Sequence, residues 1–98
     1  MARYKVMIDD NAHYMEEDER TEYAAFGTLE EAIAACRWLV DRSLRDLYRP
    51  GMTSAQLYDQ YTSFGDDPFI VVLEGADPDA RFSAWTYAAG RSREICGG

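Results

Sequence analysis

Residues 28–51 read TLEEAIAACRWLVDRSLRDLYRPG, and the fold class turns on this stretch. Thr28-x-x-Glu31 is a capping box: the hydroxyl accepts from one orphan N–H of a first helical turn, and the carboxylate reaches back to another. Behind it Leu29, Ile33, Cys36, Val40, Leu44 and Leu47 recur every three or four residues, the spacing of an amphipathic helix. Glu30 and Glu31 open that helix and Arg45 lies near its end, as the helix dipole favours. Arg49-Pro50-Gly51 stops it, because proline disfavours helical backbone at the residue before it. A long helix with one apolar stripe needs a complementary apolar face, and the flanking sequence supplies it as strands.

Upstream, residues 3–9 (RYKVMID) alternate, with Tyr4, Val6 and Ile8 on one side and Arg3, Lys5 and Met7 on the other. Period two over that length predicts a strand with one buried face. Residues 21–26 (TEYAAF) read as a second strand, and the acidic residues 10–20 between them as a loop. Downstream, Thr53-x-x-Gln56 is a second capping box, followed by Leu57, Tyr61 and Phe64 at i, i+4 and i+7 and closed by Gly65. Asp66-Asp67-Pro68 reads as a turn. Residues 69–73 (FIVVL) are apolar throughout and predict a strand covered on both faces. After a loop at 75–79, Ser83 caps a last helix with Trp85, Ala88, Ala89, Ser92 and Cys96 along one side. Gly97-Gly98 is its stop.

The order is therefore β-β-α-α-β-α, a single small α+β domain over residues 1–98. Three strands cannot bury an apolar face without helices against it. The expected sheet is antiparallel throughout, with the first strand in the middle. The helices lie mainly on one face, and the last covers part of the other. Tyr61, Phe64, Phe69 and Phe82 fall on core positions.

Ninety-eight residues allow one core and exclude a two-domain enzyme. The net charge is −8, and its placement is uneven. Residues 9–31 hold nine acids and the single base Arg20, whereas elsewhere nine acids meet nine bases. A sequence pI near 4.4 and scattered arginines provide no basic footprint for phosphates, which counts against nucleic acid and against anionic membranes. No apolar run suits a secretory signal or a bilayer span, so the expected location is cytoplasmic. Two cysteines, Cys36 and Cys96, make no disulfide framework, and Cys36 on the helix stripe reads as a small hydrophobe.

The blocks FGDDPFI (64–70) and FSAWxYA (82–88), with the capped TLEEA (28–32), resemble those of a family of small uncharacterised bacterial proteins. The similarity covers most of the chain. It implies a bacterial cytoplasmic protein and carries over no catalytic residue, cofactor or substrate.

Chemical constellations are few. Asp9, Asp10, His13, Glu16 and Glu17 suggest a divalent ion. However, Asp9-x-Asn11-x-His13 lacks the EF-hand glycine, and Arg20 stands where the bidentate Glu belongs. One histidine serves zinc no better, so neither a metal nor another cofactor is expected. No triad spacing, G-x-S-x-G, P-loop or G-x-G-x-x-G occurs. Arg49-x-Gly51-x-Thr53-Ser54 places a cation at a helix N-terminus, although its capping box already satisfies two donors. Gly97-Gly98 matches the tail of β-grasp carriers, but those tails follow a strand, and SREIC continues a helix pattern.

The aromatic residues remain. Trp38 and Tyr58 fall away from the apolar stripes of their helices, and Tyr14, Tyr48 and Tyr87 are poorly placed for the core. Tyr and Trp are enriched at protein interfaces. The leading reading is a protein–protein interaction or regulatory domain without catalysis. Its partner is an unknown protein of basic character, or a second copy in a homodimer. Glu16, Glu17, Asp18 and Glu19 would steer the encounter. The alternative is a small-ligand or enzymatic site in the helix–sheet groove, lined by Asp66, Asp67, Trp85, Tyr87 and Arg91.

Overall fold

The computed structural model describes residues 2–10, 21–73 and 81–97. His13, the acidic run at 16–19 and Gly98 lie outside them, as do the readings placed there. The elements are β1 (Tyr4–Asp10), β2 (Thr21–Phe26), α1 (Leu29–Leu47), α2 (Ser54–Phe64), β3 (Asp66–Val72) and α3 (Ala84–Cys96). They form an α+β fold whose three-stranded antiparallel sheet has the order β2-β1-β3, as the sequence pattern predicts. No helix among the described residues is long and apolar enough to cross a membrane.

α1 is shared between two clusters of buried side chains. Toward the sheet, Ala32, Cys36 and Leu39 pack with Tyr4 and Val6 of β1, flanked by Phe26, Ile70 and Val72. Toward the other helices, Val40 and Leu44 pack with Leu57 and Tyr61 of α2 and with Ala84 and Ala88 of α3. Phe82 touches both clusters. Two partners require a wider apolar face than one stripe: Ala32, Leu39 and Ser43 are buried on α1, while Ile33 is only half-buried.

The caps follow the sequence with one difference. Thr53 and Gln56 close a full capping box, and Ser83 accepts from the Thr86 N–H. At α1, Thr28 Oγ1 accepts from the Glu31 N–H at 3.2 Å, but donates its own proton to Glu31 Oε1 at 2.9 Å. That carboxylate therefore pairs with the hydroxyl of the cap residue. Gly97 is left-handed at φ 75° and ends α3, which runs helical to Cys96 as a helix-stop glycine requires.

Several finer expectations are corrected. β3 begins at Asp66, so the Asp66-Asp67-Pro68 turn is strand. Leu73 N–H donates to the Arg3 carbonyl at 2.8 Å, which sets the alternation: residues 71, 69 and 67 bond toward β1 and Pro68 turns its nitrogen outward. An edge strand tolerates proline there. The second face of β3 is only partly covered, with Val71 37% exposed. Phe64, in the last turn of α2, is 60% exposed and lies outside the helical cluster that buries Leu57 and Tyr61. On α3 the buried line is Ala84, Ala88 and Ser92, and Trp85 stands outside it.

Candidate functional site

Three groups of side chains have the chemistry to act, and they occupy different places. The first is an exposed row across α1 and β2. Trp38 and Arg42 lie one turn apart, with the guanidinium carbon 4.9 Å from the indole centroid. The β1–β2 register shifts between Val6 and Met7, pairing Val6 with Ala24 and Met7 with Glu22 and leaving Tyr23 as the extra residue. The Tyr23 ring lies 6.5 Å from Trp38 at 32°. Both rings are solvent-facing, Tyr23 at 43% and Trp38 at 49% exposure. Arg42 also lies 3.6 Å from the Asp66 carboxylate, and the Asp66 N–H donates to Ser43 Oγ. Asp66 and Phe64 share a shallow cleft of about 220 Å³, so the row continues to the exposed Phe64 ring.

The second group ties α1 to α3. Asp41 Oδ1 accepts from Tyr87 OH at 3.0 Å and from Arg91 Nε at 2.9 Å, and Arg91 also donates to Glu94. The Arg37 guanidinium lies 5.8 Å from the Tyr87 ring centroid. Burial, and then the bond to Asp41, push the Tyr87 phenol above its ordinary range. The polar atoms of Tyr87 and Arg91 are thus committed to holding two helices together.

The third group is a cleft of about 440 Å³ between β3 and the start of α3, lined by Asp67, Phe69, Phe82, Ser83, Ala84 and Trp85. Burial pushes the Asp67 carboxyl up to about 6, and Asp9, its partner across the strand pair, adds to the rise. Burial likewise pushes the Cys36 thiol up to about 12, which leaves it protonated and unsuited to nucleophilic chemistry. Tyr61 donates its hydroxyl to the Asp66 carbonyl at 2.6 Å.

The turn between α1 and α2 has a further cleft of about 380 Å³, where the sequence suggests an anion site. There Arg49 Nη1 donates to the carbonyls of Asp46 and Tyr48, and the Thr53–Gln56 box occupies two backbone donors. The cation and the donors serve the fold. Among the described residues no cluster of three or more His, Cys, Asp or Glu is placed to hold a metal.

The five residues assigned to one groove therefore separate. Asp67 and Trp85 share a cleft, Tyr87 and Arg91 bind Asp41, and Asp66 turns toward Arg42 and Ser43. Trp38 is exposed as expected, whereas Tyr58 packs against the helical cluster. No family model, curated protein or solved structure matches this chain. Sequence reasoning missed Tyr23, Arg42 and Asp41. Arg42 was readable, since i and i+4 are neighbours on a helix, but Tyr23 joins Trp38 only through the register shift.

Proposed function

We propose that this chain is a bacterial cytoplasmic protein-interaction module without catalysis of its own, and that it meets its partner through the face centred on Trp38. The observation that carries this reading is the exposed row of Tyr23, Trp38 and Arg42, set on one open face by two different elements. Trp, Tyr and Arg are the residue types that dominate binding energy at interfaces, where rings supply area at little entropic cost. A small domain that exposes two neighbouring rings forgoes burial energy that it could otherwise use for stability.

The partner is basic on its contacting surface, because residues 9–31 carry nine acids and one base. Such a segment accelerates encounter with positive charge and does so less at high salt. The test uses immobilised wild type, Trp38→Ala, and a variant with residues 16–19 neutralised, each exposed to bacterial lysate at low and moderate salt. The expected result is one dominant captured protein, lost with Trp38→Ala and less salt-sensitive with the neutralised variant. Equal capture by wild type and Trp38→Ala would overturn the assignment of the face. A concentration-dependent dimer in sedimentation, abolished by Trp38→Ala, would identify a second copy as the partner.

A further inference from the structure

Beyond the Trp38 face, we infer that the cleft between β3 and the start of α3 binds an alkylammonium group, with the Asp67 carboxylate as counter-ion and Phe69, Phe82 and Trp85 as walls. The lining combines one carboxylate with three aromatic rings drawn from a strand, a loop and a helix. Aromatic faces carry negative quadrupole density and attract organic cations, while a carboxylate beside them supplies the full opposite charge.

Three of the described cations are paired with other acids. Lys5 pairs with Glu22, Arg42 with Asp66, and Arg91 with Asp41 and Glu94. Among the described residues none pairs with Asp67, which faces another acid, Asp9, across the strand pair; Asp9 is only 8% exposed. Ionising Asp67 therefore costs free energy, and a bound cation would offset that cost. The carboxyl is pushed up to about 6 for this reason, by burial first and Asp9 second. A hard metal ion is a poor occupant: it needs six or more oxygen ligands or retained waters, and ring carbons provide neither. An ammonium on an alkyl stem suits both parts of the lining.

The test is NMR of the full chain at pH 7.5, titrated with n-butylammonium chloride against n-butanol and matched sodium chloride. Butylammonium is expected to shift the Trp85 indole N–H and the amides of Asp67, Phe69 and Phe82 in a saturable way, with butanol inert. Asp67→Asn should weaken binding about fivefold or more, the loss of one charge contact. Trp85→Leu, which keeps an apolar wall without the π face, should weaken it too. A blocked Gly-Lys-Gly peptide that binds as well assigns the group to a lysyl side chain, and one that does not assigns it to a free amine. Equal shifts with butanol, undiminished binding by Asp67→Asn, or no saturable shift would overturn the inference. Trp38→Ala should bind butylammonium normally, which separates this site from the interaction face.

Discussion

Asp67 sets an unusual pH response for a carboxylate. Its folded-state value is raised to about 6 from an ordinary 3.8, so the folded chain holds a proton that the unfolded chain has released between those limits. Stability contributed by this group is present below about pH 4 and is lost as pH rises through about 6, opposite to a salt-bridged Asp. Asp67→Asn should therefore raise stability at pH 7.5 by about 1 kcal/mol, after allowing for solvent screening of a partly exposed group, and change little at pH 4. Urea unfolding of both proteins at the two pH values checks this. Gly65 is constrained by proximity, since its φ of −77° is open to any residue. A Cβ there would overlap Tyr61 Cδ1 and lie 2.9 Å from the Tyr61 carbonyl. Gly65→Ala is expected to cost about 1–3 kcal/mol, as overpacking does, in the same assay. Ser92 is fully buried, and its hydroxyl has no partner among the described residues. Ser92→Ala should raise stability by about 1 kcal/mol, because the desolvation of an unmet donor disappears.

At the scale of elements, the join of α1 to α3 rests on apolar packing plus one polar node. Asp41 and Arg91 are 19% and 23% exposed, enough burial for their contact at 2.9 Å to resist screening. A double-mutant cycle on Asp41→Ala and Arg91→Ala should give a coupling of about 1 kcal/mol, measured by chemical denaturation. Zero coupling would mean that the Arg91–Asp41 contact adds nothing to the apolar packing and the Tyr87–Asp41 hydrogen bond that also join these helices. The elements themselves were legible because their signals are local. N-cap residues and three-to-four spacing mark α1 and α2, since Thr28, Thr53 and Gly65 act on their own neighbours. β3 was misjudged at its start because Asp-Asp-Pro is turn chemistry unless the strand lies at an edge with its proline nitrogen outward. That position is a property of the sheet.

For the whole molecule, the two proposed sites predict separable effects. Trp38→Ala should abolish capture while the chain still unfolds cooperatively, with the melting temperature lowered by several degrees, since the half-buried ring also packs on Tyr23 and Arg42. Neutralising residues 16–19 should slow association at low salt and leave dissociation unchanged, as stopped-flow or surface-based kinetics would show. The element order, the helix N-cap residues and the concentration of acid between residues 9 and 31 are legible in the sequence alone, because each follows from neighbours along the chain. The place of β1 between β2 and β3 rests on pairing between distant segments. Only the tertiary structure decided which aromatics meet. A register shift delivers Tyr23 to Trp38, Tyr61 is buried while Phe64 faces outward, and strand pairing sets Asp67 against Asp9. Those outcomes depend on register and packing between segments far apart in sequence, which local periodicity does not encode.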